Sequence, residues 1–335
     1  MTPAVSVVLP CRDAGATLDE CIASLEAQTF EAYEVIAVDD GSTDATRSML
    51  NAWTQRDPRV RVVEAGGDGL VAALQVGTDA AGAALIARMD ADDVAHPTRL
   101  EAQVRFLARH RDLAACGTGV EYFPRDRMGS GLERYERWLN SLRTPEEILR
   151  DLLVECPIAH PTLMIRRSVL RALGGYRNEG WPEDYDLLLR LHLAGMRCAN
   201  LPAVLLRWRV SARRLSGSAP EYDAEAFRRC RVHFIRSGFL PAVRPVVVWG
   251  AGKVGKALAR ELIRQDIRPV AFIDLDPRKI GQEIHGARVL GADELDEVPD
   301  AYFLIAVGTP GARGDIRHAL QESGRHEIAD YRAIA

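Results

Sequence analysis

Short apolar runs alternate with longer amphipathic segments along the N-terminal third of the chain. The apolar runs have the length and aliphatic composition of buried strands, and they cover residues 5–9, 33–38, 60–63 and 85–89. The segments between them have helical spacing, with helix-start residues at Thr17, at Ser42 or Asp44, and at Pro97. Strands that alternate with helices predict an α/β fold with a doubly wound, mainly parallel sheet.

The pattern is less regular in the middle of the chain. Residues 122–144 lose their periodicity and predict an exposed connection with some helix. Beyond them we predict helices at 146–154, 168–173, 183–194 and 223–237, and strands at 161–165 and 204–210.

The alternation restarts near the C-terminus, after a segment that predicts a linker. Residues 238–245 contain Gly238, Pro241 and Pro245, which favour a break between domains. A chain of 335 residues is long enough for two domains at roughly 100–200 residues each. We therefore predict a larger α/β domain over residues 1–240 and a smaller one over residues 244–335.

Acidic clusters follow two of the predicted strands. Asp39-Asp40-Gly41-Ser42 follows residues 33–38, and Asp90-Ala91-Asp92-Asp93 follows residues 85–89. A third acidic pair, Glu183-Asp184, opens a predicted helix. Ligands bind outside the carboxyl ends of the strands in open α/β sheets, and carboxylates placed there can hold a divalent cation against a diphosphate. Taken alone, each of the first two clusters could also be a polar turn, because Asp favours turns.

In this order the three clusters resemble family 2 glycosyltransferases of the GT-A fold, over roughly the first 240 residues. The resemblance implies an inverting transfer assisted by Mg²⁺ or Mn²⁺, with Asp92 as the main metal ligand. It implies that Asp90 faces either the ribose or the water on the metal. It also assigns Asp40 to recognition of the nucleotide base, with Asp39 as the partner of Asp40. The residues expected at the donor nucleotide are Pro10, Arg12, Asp13, Asp39, Asp40, Gly67 and Asp90.

The segment after the first predicted strand, which is expected to form one wall of the donor site, departs from the family pattern. Relatives often carry an aromatic residue and an Asn-Glu pair where this chain has Arg12-Asp13-Ala14, so the base that is recognised stays open. Arg12 could stack on the base, and Asp13 could equally be a turn residue. Gly67 lies in a Gly-rich loop, which is either a phosphate-binding loop or a plain turn.

The acceptor side is expected around Glu183 and Asp184. The resemblance implies that Asp184 is the general base and that Glu183 orients the acceptor or the sugar. The alternative is that both are ordinary acids in the first turn of a helix. His160 and Trp181 are candidates for the acceptor pocket, or structural residues. Arg207 or Arg209, with Arg213 and Arg214 on a mobile flap, could close over the leaving diphosphate, and the alternative is a solvated basic loop.

The C-terminal region carries a separate glycine motif. Gly250, Gly252 and Gly255 form a Gly-x-Gly-x-x-Gly pattern between a predicted strand and a helix, and Asp274 ends the next strand. The region resembles the Rossmann-like nucleotide-binding modules attached to sugar-modifying enzymes. At about 90 residues it is short for a dehydrogenase. We expect a nucleotide or dinucleotide ligand or a role in assembly, with an inert scaffold as the alternative.

Composition narrows the class of protein. Lys+Arg 43 against Asp+Glu 47 leaves a net charge of −4, which argues against a nucleic-acid-binding protein. The six cysteines are scattered, which favours reduced thiols in the cytoplasm. No apolar run approaches the ~18 residues that would cross a bilayer. The expected location is cytoplasmic, and peripheral contact with the inner membrane face stays open.

The leading hypothesis is an enzyme that transfers a sugar from a nucleotide-sugar donor to a hydroxyl of a saccharide or lipid-linked acceptor, in surface glycan synthesis. One alternative is an NAD(P)-linked enzyme that acts on a nucleotide sugar through the C-terminal motif. Another is a non-catalytic module that binds nucleotide sugars. The three acidic clusters support the first hypothesis, and the glycine motif with Asp274 supports the second.

Overall fold

A computed structural model describes residues 2–211, 219–241, 244–309 and 311–335. The chain forms two compact units, each built from more than one segment. The first unit comprises Met1–Ile148, Pro157–Glu179 and Glu183–Ser218, and the second comprises Leu149–Cys156, Gly180–Pro182 and Ala219–Ala335. The boundary that we predicted at residues 240–244 therefore lies within the second unit. Arg213 and Arg214 lie outside the described residues.

The first unit contains a sheet of eight strands. These are β1 (Val5–Cys11), β2 (Tyr33–Asp39), β3 (Val60–Glu64), β4 (Leu85–Arg88), β5 (Val94–Ala95), β6 (Leu113–Phe123), β7 (Met164–Arg166) and β8 (Arg197–Arg209). Their order is β3-β2-β1-β4-β7-β6-β8-β5. The first four strands in this order are parallel, β6 is parallel to β8, and β7 and β5 are antiparallel to their neighbours. The sheet is α/β and mainly parallel, as predicted.

Helices cover both faces of this sheet. They are α1 (Leu18–Glu26), α2 (Thr46–Arg56), α3 (Leu70–Ala80), α4 (Arg99–Arg109), α5 (Ser130–Ser141), α6 (Pro145–Asp151), α7 (Arg167–Ala172) and α8 (Glu183–Leu193). On one face, Leu18 and Trp53 pack with Val7 and the other inward residues of β1. On the opposite face, Ala73 of α3 packs against Ile36 and Val38. Because β1, β2 and β4 are buried on both faces, they appear in the sequence as mainly apolar runs.

Strand register places the acidic clusters at one edge of the sheet. Cys11 at the end of β1 pairs with Asp39 at the end of β2, and Val8 pairs with Arg88 at the end of β4. Asp40 and Asp90 therefore lie beyond the ends of β2 and β4, the two strands that flank β1. The Cys11 thiol is buried, and its pKa is raised by that burial and then by the charges of Asp39 and Asp90. This thiol thus lies between the two clusters.

The long strand β6 is the main difference between the observed elements and the predicted ones, because the sequence pattern did not predict a strand there. Gly117 and Gly119 lower the strand propensity of this segment. A Cβ atom at Gly117 would lie 2.6 Å from Cγ2 of Ile158, so the packing requires glycine there. The strand predicted over residues 161–165 is instead a 3₁₀ turn, His160–Thr162, followed by β7.

The second unit contains a smaller sheet. Its strands are β9 (Val246–Trp249), β10 (Pro269–Ile273), β11 (Glu283–Ile284), β12 (Ala287–Leu290), β13 (Tyr302–Ile305) and β14 (Tyr331–Ala333), in the order β11-β12-β10-β9-β13-β14. All neighbours are parallel except β11 and β12. Its helices are α9 (Ala224–Phe234), α10 (Lys253–Arg264) and α11 (Ala312–Glu322). Within the described ranges of the chain, no helix is long and apolar enough to cross a membrane.

Candidate active site

Three carboxylates meet in the loop after β4. Asp90, Asp92 and Asp93 each offer an oxygen, and these oxygens lie within 4.8 Å of one another. Asp93 is fully buried, and its Oδ2 has no hydrogen-bond partner among the described residues. Burial, followed by the charges of Asp90 and Asp92, raises the pKa of Asp93 well above its usual value. A cluster of hard oxygen donors with one buried oxygen unsatisfied fits a divalent cation such as Mg²⁺ or Mn²⁺.

Arg209, near the end of β8, holds this acidic loop. Its backbone N–H donates to Asp93 Oδ1 at 2.8 Å, and its Nε donates to the carbonyl oxygen of Asp92 at 2.6 Å. Its Nη2 also donates to Glu20 at 2.9 Å. The guanidinium groups of Arg209 and Arg207 lie 4.4 Å and 4.3 Å from the ring centroid of Phe123. The structure therefore brings Arg209 beside the predicted metal ligands.

The predicted donor residues after β1 and β2 form a second cluster with the Gly-rich loop. Nη1 of Arg12 lies 3.2 Å from Oδ2 of the buried Asp40 and donates to the carbonyl oxygen of Gly67, also at 3.2 Å. The same Asp40 oxygen accepts the backbone N–H of Gly69 at 3.1 Å. Asp40 Oδ1 is buried and has no hydrogen-bond partner in the described part of the chain. An acceptor atom left in this state is suited to a donor group on a ligand.

Asp39 and Asp13 support the backbone of this region. Asp39 Oδ1 accepts the backbone N–H of Ser42 at 3.1 Å. Asp13 has a φ of +46°, and its carboxylate accepts both the N–H and the hydroxyl of Thr43. These bonds, led by the one from the Thr43 backbone, lower the pKa of Asp13. The turn role that we weighed for Asp13 agrees with this geometry.

The acidic pair at the start of α8 lies in a buried polar cluster. Glu183 is buried, and its Oε1 is 3.2 Å from Nδ1 of His160. The other ring nitrogen of His160 is 2.9 Å from the hydroxyl of Tyr176. His160 is therefore held between Glu183 and Tyr176. Asp184 is half-buried. Burial, followed by the charge of Glu183, raises the pKa of Asp184 to about 6.

Arg88, which is not among the site residues predicted from the sequence, links the two acidic clusters electrostatically. This buried residue forms an ion pair with Asp90. Burial opposes its charge, but Asp90, followed by Tyr176 and Glu183, raises the pKa of Arg88 above its usual value. The Arg88 charge offsets a small part of the rise in the pKa of Asp184. One buried guanidinium thus pairs with Asp90 and interacts electrostatically with Glu183 and Asp184.

Comparison with known families supports an enzyme of one class. Residues 6–174, just over half of the chain, match the model of glycosyl transferase family 2. This chain belongs to glycosyltransferase family 2. The predicted family, and with it a glycosyltransferase enzyme, are therefore confirmed.

Named relatives match between 58% and 71% of this family 2 glycosyltransferase. The putative glycosyltransferase EpsE of Bacillus subtilis is 33% identical over 232 residues, which span 68% of this chain and 76% of the relative. The amylovoran biosynthesis glycosyltransferase AmsE of Erwinia amylovora is 30% identical over 196 residues, or 58% and 71% of the two chains. An Escherichia coli UDP-Gal:alpha-D-GlcNAc-diphosphoundecaprenol beta-1,3-galactosyltransferase is 25% identical over 71% of this chain and 86% of its own.

Solved structures confirm the predicted GT-A fold. S. aureus TarS 1-349 superposes with a TM-score of 0.57 at 19% identity, over 78% of this chain and 71% of its own. The mannosyltransferase PcManGT from Pyrobaculum calidifontis superposes with a TM-score of 0.50 at 21% identity, over 78% and 70% of the two chains. At these identities the likeness concerns the fold alone.

The second unit of this glycosyltransferase matches a different family. Residues 243–331 match the model described as C2185-like, N-terminal. Gly250 has a φ of +121°, and a Cβ atom there would lie 2.7 Å from the carbonyl oxygen of Ala306. A Cβ atom at Gly255 would clash with the carbonyl oxygen of Gly250, whereas Gly252 faces open space. Packing therefore explains two of the three glycines.

Asp274 already has partners within the second unit. Its Oδ2 accepts the N–H of Ala251 at 2.8 Å and lies 3.0 Å from Nζ of Lys279. Its Oδ1 accepts the N–H of Asp276 at 2.9 Å. The carboxylate thus holds the glycine loop, and nucleotide binding there stays a prediction.

Trp181 also belongs to the second unit, where its ring lies 5.1 Å from that of His233.

Arg88 is the site residue that sequence reasoning missed, although the sequence carried a signal for it. It is the only charged residue in the apolar run 85–89. Arginine is almost never fully buried unless it is paired. A charge inside a predicted buried strand therefore indicates a buried partner, and the nearest acid along the chain is Asp90.

Proposed function

We propose that this protein is a metal-dependent, inverting glycosyltransferase that transfers a sugar from a nucleotide-sugar donor to a hydroxyl group of a saccharide or lipid-linked acceptor. The observation that carries the proposal is the buried Arg88, which pairs with Asp90 and acts electrostatically on Glu183 and Asp184. Acids that are far apart in sequence thereby share one charged group. A leaving-group site and a base for the acceptor require this proximity.

On the donor side, Asp92 and Asp90, with Asp93, would hold Mg²⁺ or Mn²⁺. A divalent cation in this position neutralises the charge that develops on the departing diphosphate. Arg209 keeps the acidic loop in place and adds positive charge beside it. Asp40 offers its Oδ1, which has no partner among the residues that the structure describes, to a donor group on the nucleotide base or ribose, while Arg12 pairs with Oδ2 of the same carboxylate.

On the acceptor side, Asp184 is the proposed general base. The acceptor oxygen attacks the anomeric carbon from the face opposite the diphosphate, and the bond between that carbon and the phosphate oxygen breaks. The hydroxyl proton passes to the Asp184 carboxylate, and the configuration inverts. Glu183 and His160 are proposed to position the start of α8, because each is buried and they lie within 3.2 Å of each other.

The names of the relatives support an acceptor in glycan assembly. AmsE is named for amylovoran biosynthesis, and WbnJ of Escherichia coli, 29% identical, is named for O-antigen biosynthesis. The named Escherichia coli galactosyltransferase acts on a diphosphoundecaprenol-linked sugar. We infer that the acceptor here is a growing saccharide, free or lipid-linked.

A panel of nucleotide sugars tests the proposed function. We expect one donor with Mn²⁺ to raise the melting temperature of the full chain by about 5–10 °C at a hundredfold excess over its Kd. EDTA should remove the shift. The product anomer, assigned by NMR, should be inverted relative to the donor. If UDP and GDP sugars all leave the melting temperature unchanged with Mn²⁺ present, the proposed donor class is wrong.

The pH dependence of turnover follows from Asp184. The base must be ionised to accept a proton, so kcat should rise between about pH 5 and 7 and then level off. Burial, followed by the charge of Glu183, raises the pKa of Asp184 to about 6. Glu183→Gln should therefore move the acid limb of the kcat profile to lower pH. Glu101→Gln, which changes a first-turn acid of α4, should leave that limb in place. A kcat that falls across this range would contradict the assignment.

A further inference from the structure

A cavity in the second unit is lined mainly by cationic side chains. It has a volume of about 780 Å³, within the range of small-molecule sites. Helices α9 and α10 and the segment that contains Glu155 form its walls. The cations that line it are Arg228, Arg231, Lys253, Lys256 and Arg260.

Helical spacing directs these cations to one place. Lys253, Lys256 and Arg260 are at positions i, i+3 and i+7 of α10, which share one face of a helix. Arg228 and Arg231 are three residues apart on α9, which packs against α10. Both sets line the same cavity, so the two helices present their basic faces to one space.

Little negative charge balances these cations. Glu155 is the one acid in the lining, and it lies 3.8 Å from Arg231 while accepting the N–H of Cys156. Over the described ranges, the side chains of Arg228, Lys253, Lys256 and Arg260 make no ion pair or hydrogen bond. Like charges on successive turns of a helix destabilise it. The arrangement therefore costs stability unless an anion occupies the cavity.

The position of two lysines at the start of α10 further lowers the stability of the helix. Lys253 and Lys256 lie in its first turn, and that turn contains no acidic residue. The N-terminal end of a helix carries partial positive charge, which disfavours cations and favours anions. The helix has 12 residues and begins after Gly252. Its dipole and its first-turn lysines thus act in the same direction on a bound phosphate.

We propose that this cavity, which begins at Lys253 directly after the loop held by Asp274 and shares no residue with the candidate transferase site, binds a ligand that carries two or more phosphate groups. Tyr222 and Phe227 in the lining offer an apolar wall to the organic part of such a ligand. The shared chemistry is a pair of phosphates, whether on a soluble molecule or on a lipid headgroup.

Calorimetric titration with inorganic pyrophosphate tests the site. The full-length Asp92→Ala protein in EDTA is used, so that metal-assisted binding at the transferase centre does not contribute. We expect saturable binding that Lys256→Glu/Arg260→Glu weakens by about 10-fold or more. Arg268→Glu removes an exposed cation of the same unit outside the cavity, and it should change the Kd by less than about twofold. Added salt should weaken binding.

A parallel sedimentation assay identifies the source of the phosphates. Vesicles that contain cardiolipin, with two phosphates per molecule, are compared with neutral phosphatidylcholine vesicles. Pyrophosphate binding assigns a soluble ligand, and binding to cardiolipin vesicles alone assigns a lipid. The neutral double variant Lys256→Gln/Arg260→Gln should also weaken binding, as Lys256→Glu/Arg260→Glu does. Circular dichroism should show that each variant is folded. The proposal is overturned if neither probe binds at millimolar concentration, or if Arg268→Glu weakens binding as much as the double variant does.

Discussion

Asp92→Ala is expected to lower the transfer rate on the order of 10³-fold. The proposed cation stabilises the negative charge on the leaving diphosphate, and this lowers the activation free energy by several kcal/mol. Asp92 and its neighbours Asp90 and Asp93 offer oxygens within 4.8 Å of one another. Removing one carboxylate leaves the cluster with fewer ligands and weaker cation binding. The measurement is the steady-state rate of nucleotide release with and without acceptor, across a Mn²⁺ titration.

Asp79→Ala is the matched control for this experiment. Asp79 is an exposed acid of α3 in the same unit and lies outside the acidic loop. We expect wild-type turnover and wild-type Mn²⁺ dependence from it. The free Mn²⁺ signal in electron paramagnetic resonance should fall less with Asp92→Ala than with the control. Unchanged turnover in Asp92→Ala, or wild-type activity in EDTA, would sink the metal assignment.

Asp184→Asn is expected to stop turnover while sparing the donor. Loss of a general base lowers kcat by about 10²–10⁴-fold. The amide keeps the size of the side chain but does not accept the acceptor proton. The donor Kd, measured by calorimetry with Mn²⁺, should change by less than about twofold because the base acts only on the acceptor hydroxyl.

The competing explanation is that Asp184 only stabilises the first turn of its helix. Asp19→Asn tests this, since Asp19 is an exposed acid in the first turn of α1. A capping or dipole effect would give similar small losses of stability in both variants, typically 0.3–1 kcal/mol, with no loss of kcat. If Asp184→Asn turns over like the wild type, another group is the base.

Much of the first unit follows from local patterns. The strands β1, β2 and β4 are mainly apolar runs because both faces of the sheet are covered there. Their acidic ends could be placed at one edge because parallel strands share a direction. The strand β6 could not be predicted, since Gly117 is required by its contacts with Ile158 and Asn200, which are distant in sequence.

The roles of individual acids depended on contacts between segments. Asp39, Asp40 and Asp13 each accept a backbone N–H group, yet of these three Asp40 also keeps a buried oxygen unpartnered in the described structure. Likewise, His160 and Glu183 are 23 positions apart along the chain and lie 3.2 Å apart in the fold. Composition does not encode such differences.

The amino-acid order alone determined where acids follow strands and which family the chain resembles, because strand ends and short motifs are local properties. Only the tertiary structure decided that Arg88 joins the cluster around Asp90 to the pair at the start of α8. It also decided that five cations of the second unit line one cavity. The physical reason is that buried charges are balanced by whichever segments packing brings near them, and the sequence does not state those distances.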